Sequence, residues 1–391
     1  MGQDSHLLTT RQLFGTHWNL GDPDDLLSVP GRINLIGEHV DYHDLPVLPM
    51  AIQRRITIAF RARQDATLRA ISQSYKESWF ELTAASEPSP NGDWTNYLKA
   101  AAQAARMRWA LRRGLDAYIT SDLPPAAGLS SSSSLLAGMT LAMLKVNGAQ
   151  ATISELMEVL PEAEHFVGTR GGGMDHAAVL ASEAGCALLV HFNPIELSSL
   201  PIPPDWAFLV AHSLTTAEKS GPVRAQYNAR RAAGTNALQM LGLESYRAAL
   251  RNYSSEELTS AAARLPKQEQ RAFLHVVTEA ARVENALATL RLADIGAFGH
   301  LLTASHASLR DRLQVSNSSL DELVRIALEA GAAGARLTGA GFGGCAIVLC
   351  RMPERDRVRA ELEKRFYSKH ADFDPERQLF FAEPSGGALH V

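Results

Sequence analysis

The order in which strand and helix periods follow one another restricts the fold of this 391-residue chain more than any single motif does. Residues 56–63 (ITIAFRAR) alternate as a half-buried strand should, and ATLRAIS and SWFEL read as two further strands. Residues 94–111 are alanine-rich with helical spacing. GLDAYITSDL follows as a strand, then a Pro-Pro turn and a helix over about 135–145. Helical patterns recur over 153–166 and 175–184 before the short strand CALLVHF, and the Pro-rich piece NPIELSSLPIPPDW is the best linker candidate. Beyond it lie the strand AFLVAHS, four or five helices, and two late strands, ARLTG and GCAIVLC, around a glycine cluster. A doubly wound parallel sheet needs regular βαβα alternation, which this order lacks, so the expected class is α+β. The length asks for about two domains, here 1–198 and 199–391.

Charge narrows the partners. A net charge of −4 and a pI near 6.4 lack the basic face a general nucleic-acid binder needs to displace counterions. They also give no reason to expect an anionic membrane as partner. No apolar run approaches the ~20 residues that span a bilayer, and the amino terminus lacks a signal pattern. The three cysteines, Cys186, Cys345 and Cys350, sit in apolar stretches without a CxxC pair, as buried thiols in a reducing compartment would. A cytoplasmic protein is expected, and a monomer suffices for a two-domain cleft.

Four motifs carry chemistry. In LPPAAGLSSSSSLL, beginning at Leu123, a strand passes through a tight turn and a small-residue loop into a helix. Converging amides and the helix N-terminus suit phosphate there, and a serine hydroxyl suits Mg²⁺. No Gly-Lys-Ser/Thr follows, so it is not a Walker A loop, and a serine-rich loop taken alone is more often a flexible linker or a plain helix cap. In GARLTGAGFGGCAIVL, Gly339, Gly341, Gly343 and Gly344 fall within six residues. That spacing suits either a plain glycine-rich hairpin or a loop pressed against substrate. In PGRINLIGEHVDYH, Arg32, Glu38, His39 and Asp41 mix donors and acceptors as a polyhydroxylated ligand requires, although a surface ion-pair patch has the same residues. In AEHFVGTRGGGMD, Asp175 follows a glycine run at a helix start, where it also fits a simple cap.

Together, PGRINLIGEHVDY, PPAAGLSSSSSLL, AEHFVGTRGGGMD and ARLTGAGFGGC resemble, in order and spacing, the galactokinase branch of the GHMP kinases. The resemblance runs from about Leu8 to the last strand. It implies a two-domain GHMP fold with the active site between the domains, and ATP and Mg²⁺ as cofactors. The reaction it implies is transfer of the γ-phosphoryl of ATP to the anomeric hydroxyl of galactose. By the same resemblance Asp175 matches the catalytic aspartate and Arg32 its paired arginine, which should hold that carboxylate ionised. Glu38, His39, Asp41 and Gly172 match sugar-binding positions, and Tyr227 is the best match for a sugar-contacting tyrosine. Gly128, Leu129 and Ser130, Ser131, Ser132, Ser133 and Ser134 match the phosphate loop, and Ser132 with Glu164 the Mg²⁺ pair. Gly339, Gly341 and Gly343 match the third motif. Trp94, in DWTNYLKA, matches a motif of the nucleotide-binding domain, or equally a core tryptophan.

The chain departs from the family pattern in places. His43-Asp44-Leu45-Pro46 stands where an Asn/Gly-rich stretch is usual, and Ala126-Ala127 where glycines are common. GTRGGGMDH resembles the GGGMDQ form of N-acetylgalactosamine kinases and fungal galactokinases more than the bacterial GIMDQ form, with His176 replacing glutamine. The alternatives are therefore a kinase for N-acetylgalactosamine, arabinose or galacturonic acid, or a non-catalytic sugar- and ATP-binding sensor.

Overall fold

The computed structural model describes residues 3–82, 87–216 and 222–388. Helix α1 (Gln3–His17) precedes β1 (Asp25–Ile36), β2 (Leu48–Ala62), β3 (Thr67–Ser72) and β4 (Tyr75–Glu81). Then follow α2 (Thr95–Arg108), β5 (Leu115–Ser121), α3 (Ser131–Val146), α4 (Ile153–Ala163) and α5 (Met174–Ala181). The five strands form one sheet in the order β1-β2-β5-β3-β4, antiparallel except for the β3–β5 pair.

Alternation along β2 explains its double burial. Ile56, Ile58 and Phe60 enter the main core, where α3 lies on the sheet, whereas Ala59 points to the other face and meets Phe14 of α1 and Tyr118. Gly138 lets α3 come this close, because a Cβ there would lie 2.6 Å from Ile58 Cδ1.

Two sequence expectations change here. The helix expected from about 135 begins at Ser131, so Ser131–Ser134 form its first turn and not a loop. Serine has modest helix propensity, but the first turn is where its hydroxyl competes least harmfully with the backbone. The linker candidate is a strand: β7 (Glu196–Pro201) pairs with β6 (Cys186–His191) from Cys186↔Pro201 to His191↔Glu196. Pro201 is tolerated because it closes a strand at an edge.

The remaining chain comprises β8 (Trp206–His212), α6 (Pro222–Met240), α7 (Tyr246–Asn252), α8 (Ser255–Ala262), α9 (Lys267–Arg291), α10 (Ile295–Ser308) and α11 (Ser318–Glu329). It continues through β9 (Gly334–Thr338), β10 (Cys345–Arg351), α12 (Arg355–Arg365) and β11 (Leu379–Ala382). Between β8 and β9 the described residues hold six α-helices, against the four or five expected, because a capping box at Ser254 starts α8 directly after the short α7. The strand order is β11-β8-β10-β9, all antiparallel. Leu209, Ala346 and Val348 face α11 and α12, while Phe208, Val210, Ile347 and Leu349 face the core shared with the first sheet. The α+β expectation therefore holds. After β11 the chain returns to the first sheet: Ile52 bridges Pro384, and Ser385 N–H donates to the Ala51 carbonyl at 3.0 Å.

Cys345 and Cys350 are buried as expected, but Cys186 is only half-buried, lying at the outer end of β6. No helix among the described residues is long and apolar enough to cross a membrane.

Candidate active site

One cleft gathers residues from loops that the sequence keeps more than a hundred positions apart. Arg32, Glu38, His39, Asp41, Glu164, Asp175, Tyr227 and Gly339 all line it. Arg32 sits where the β1–β2 register slips between Pro30 and Arg32, the kind of bulge that re-aims a side chain. Asp175 stands in the first turn of α5, after Gly173 at φ 103°.

Buried Arg32 meets half-buried Asp175 in an ion pair. Arg32 Nε donates to Asp175 Oδ1 at 2.7 Å and Nη2 approaches the same oxygen at 2.6 Å. Nη1 donates to the Gly128 carbonyl at 2.6 Å, so the arginine also fixes the loop before α3. Burial works to lower the basicity of Arg32, but Asp175, Glu38 and Asp41 outweigh it and raise the guanidinium above its ordinary value. It stays charged.

A second wall is built by residues 37–43. Gly37 (φ 94°) and His39 (φ 62°) turn the chain out of β1. His39 Nε2 lies 3.1 Å from the Ala340 carbonyl, which can only accept, so that nitrogen carries the proton. His39 Nδ1 then accepts from the Tyr42 hydroxyl at 2.9 Å. Glu38 Oε2 accepts from Arg336 Nη2 at 2.7 Å. Burial pushes the Glu38 carboxyl upward, against the opposing pull of Arg336 and Arg32. Asp41 Oδ2 accepts from Gly172 N–H at 3.2 Å. Tyr227, from α6, lies with its ring 5.4 Å from His39 and 5.8 Å from Tyr42. Burial, with Asp41 adding to it, raises Tyr227 well above an ordinary phenol, so it stays protonated.

The serine-rich turn divides its labour. Ser134 Oγ donates to the carbonyls of Pro30 and Ser130, at 2.7 and 2.8 Å, and Ser133 Oγ donates to Glu164 Oε1 at 2.7 Å. Both hydroxyls are buried and point into the protein. Ser132 is half-buried and hydrogen-bonds the Tyr97 hydroxyl. Leu129 is buried, contributing its carbonyl to Arg32 N–H at 3.1 Å. Ser130, the N-cap, adopts φ 61° and keeps a buried hydroxyl without a partner. The first amides of α3 have no intrahelical acceptor and carry the positive end of its dipole.

Among the glycines of the third motif, only Gly339 lines the cleft. Its Cβ would lie 2.7 Å from the Gly128 carbonyl, so the two loops touch backbone to backbone. Gly341 and Gly343 are required instead by close packing: a Cβ would meet the Val315 carbonyl at 2.3 Å and the Thr215 carbonyl at 2.6 Å.

Glu164, bonded by the Ser133 hydroxyl, offers one carboxylate. Among the described residues no set of three His, Cys, Asp or Glu side chains converges to hold a metal alone. That donor set fits an ion carried chiefly by nucleotide phosphates, as Mg²⁺ usually is.

Comparison with known proteins identifies this architecture. Residues 12–62 match the galactokinase galactose-binding signature, 96–183 the GHMP kinases N terminal domain, and 286–369 the GHMP kinases C terminal. The chain is 36% identical to a galactokinase of Streptomyces coelicolor over 97% of its own length and 96% of that protein. The chain belongs to the galactokinase family. A human galactokinase is likewise 36% identical, over 88% of each chain. The Lactococcus lactis galactokinase, solved in complex with galactose, superposes with a TM-score of 0.88 at 26% identity, covering 98% of this chain and 99% of that one. A mevalonate kinase, at 19% identity and a TM-score of 0.62, shares the fold. GHMP kinases use ATP, and this galactokinase-family chain is an ATP-dependent phosphotransferase.

Sequence reasoning missed Arg336, Glu279 and His275, which surround Glu38 from the second half of the chain. A signal was present for two of them: Arg336 interrupts a small-residue strand, and Glu279 breaks the apolar run HVVTEAARV. It also missed the stack of Tyr75 on Trp94, with centroids 5.6 Å apart, at the start of α2, which carries Tyr97.

Proposed function

We propose that this chain phosphorylates galactose at its anomeric hydroxyl, using the γ-phosphoryl of ATP. The observation that carries the reading is the pair of buried Arg32 and half-buried Asp175, tied by Gly128 to the loop at the start of α3. In this reading the pair joins the polar pocket that takes the sugar to a helix end suited to phosphate. Glu38, His39, Asp41 and the amide of Gly172 hold sugar hydroxyls in this reading, with Tyr227 covering the ring. The amides opening α3, from Ser131 onward, and Gly128 and Gly339 cradle the phosphates. Gly341 and Gly343 support that loop from behind.

As the bond from the anomeric oxygen to phosphorus forms, the bond from phosphorus to the β-phosphate oxygen breaks and ADP leaves. Asp175 orients the attacking hydroxyl and accepts its proton, while Arg32 balances negative charge spreading over the transferred group. Glu164 and Ser132 hold Mg²⁺ in this scheme, with Ser133 orienting the carboxylate. When bound, the ion neutralises charge on the phosphate oxygens.

Two domains, 1–198 and 199–391, remain part of this reading, although that boundary falls inside β7. One chain supplies both walls of the cleft, so a monomer is sufficient. Three unpaired thiols suit a reducing compartment such as the cytoplasm.

The test is ADP release with Mg-ATP across galactose, N-acetylgalactosamine, talose, arabinose, galacturonic acid and glucose. We expect galactose to be preferred and Asp175→Asn to lose turnover by about 10³-fold or more, with its melting temperature measured alongside. Preference for another galacto-configured sugar would replace the substrate. Binding of sugar and ATP without turnover would leave a sensor, and undiminished turnover by Asp175→Asn would refute its role.

A further inference from the structure

The mechanism above leaves one fully buried acid unused. Glu279 lies in the middle of α9 with no exposed surface, among Val276, Val277 and Val283. A carboxylate in such surroundings is costly unless every lone pair is matched. Here both oxygens are met by directional donors. Oε2 accepts from Arg282 Nε at 2.7 Å, and Oε1 accepts from the Ser305 hydroxyl at 2.7 Å. Oε1 also faces the amides of Gly37 at 3.1 Å and Glu38 at 3.3 Å. Burial works to raise this carboxyl, but Arg282, His275 and Arg336 overcome it and hold it at about 2.

Two consecutive amides aimed at one oxygen form an anion nest. The positive φ of Gly37 turns both amides away from the strand ladder, so without an acceptor they would be buried donors lacking a partner. The same peptide is gripped on its other side. The Glu38 carbonyl accepts from His275 Nε2 at 2.9 Å, and the ring is oriented by Ser308 Oγ at 2.9 Å from Nδ1. Burial depresses His275 to about 4, so the ring is neutral near pH 7 and its Nε2 hydrogen is committed to that carbonyl. The Glu38 side chain is held by Arg336.

We propose that Glu279 is a positioning residue for the sugar: by filling the amide nest of Gly37 and Glu38 from α9, it sets where Glu38 and His39 stand in the cleft. This rests on the assignment of residues 38–41 to the sugar. Glu279 touches neither substrate and acts through the loop. Its own bonds run to the Gly37–Glu38 peptide, at the end of the cleft assigned to the sugar.

Equilibrium binding of galactose and of ATP, each measured by calorimetry on the full chain, tests this without requiring turnover. Glu279→Ala should weaken galactose binding about tenfold or more while ATP binding changes less than about twofold. Glu279→Gln keeps an acceptor for the two amides and should recover galactose binding to within about threefold of the unaltered protein, despite its poorer match to Arg282. Glu38→Gln runs in parallel. If Glu38→Gln weakens galactose binding and Glu279→Ala does not, the positioning role is wrong and the sugar assignment stands. If Glu38→Gln and Glu279→Ala both leave galactose binding unchanged, the sugar assignment falls and the proposal with it. Equal weakening of galactose and ATP, or no recovery in Glu279→Gln, would reduce Glu279 to a general stabiliser of the fold. Should Glu279→Ala not fold, Ser305→Ala removes the hydroxyl that orients Oε1 and should weaken galactose alone by about threefold. No such selective loss would equally overturn the role.

Discussion

Replacing Gly172 by alanine should damage sugar use far more than the same change one residue earlier. A Cβ at Gly172 would lie 2.2 Å from Tyr42 N, 2.3 Å from Asp41 C and 2.7 Å from Asp41 Cγ, whereas ordinary contact begins near 3.4 Å. Two backbone segments must therefore separate by about 1 Å, and a displacement of that size at a reacting centre costs roughly 10²-fold. The movement also stretches the 3.2 Å bond from Gly172 N–H to Asp41 Oδ2. A loss of about 10²-fold in kcat/KM for galactose, or ~2.7 kcal/mol of transition-state stabilisation, is expected for Gly172→Ala. Gly171→Ala is the control: its nearest atom, Glu164 Oε2, lies at 3.4 Å, so the added methyl fits. Steady-state kinetics with galactose varied at saturating ATP, then the reverse, locate the loss, which should fall on galactose. If Gly172→Ala keeps kcat/KM within about twofold, or Gly171→Ala is as damaging, the close approach of these two loops does not position the sugar.

Other consequences can be checked with simpler measurements. Ser132→Ala should raise the Mg²⁺ concentration for half-maximal ADP release by about tenfold with galactose KM unchanged. Ser133→Ala should instead lower stability by about 2 kcal/mol, because it strips a hydrogen bond from the buried Glu164 carboxylate; the reverse pattern in Mg²⁺ titration and thermal melting would exchange their roles. Acid should destabilise the fold well above the carboxylate range. Burial depresses His43 to about 3 and His275 to about 4, both below the 6.5 of an unfolded histidine. Between those values the unfolded chain binds more protons, so this stability is present above pH 6.5 and is lost as pH falls. Each ring should cost about 2 kcal/mol at pH 5. Urea unfolding at pH 7 and 5 measures it, and equal stability at the two values would contradict the neutral buried rings.

The four motifs were legible in the sequence because each is a local backbone device: a bulged strand end, a glycine run before a helix, a helix N-terminus, a glycine-rich turn. Local devices are written in consecutive residues. Arg32, Glu38, Asp41, Glu164 and Asp175 could be singled out for that reason, and the structure brings all five to one cleft. The serine run was harder to divide. Five identical residues carry no pattern, and which hydroxyl points inward depends on where α3 begins; that choice turned Ser133 and Ser134 into the protein and left Ser132 half-buried. The Pro-rich piece 193–206 misled because prolines at the ends of a strand look like a linker until its partner strand is known.

By itself the sequence determined the α+β class, through the order of its periods, and the chemical repertoire of the site, through its short motifs. Tertiary structure alone decided how that repertoire is held in place. Arg336, Glu279 and His275 lie 237 to 298 positions after Glu38 in the chain, yet all three bond it or its amides. No local period encodes such contacts. They exist because α9 and β9 pack against the end of β1, where a buried charge must find partners from whichever segment the packing brings near.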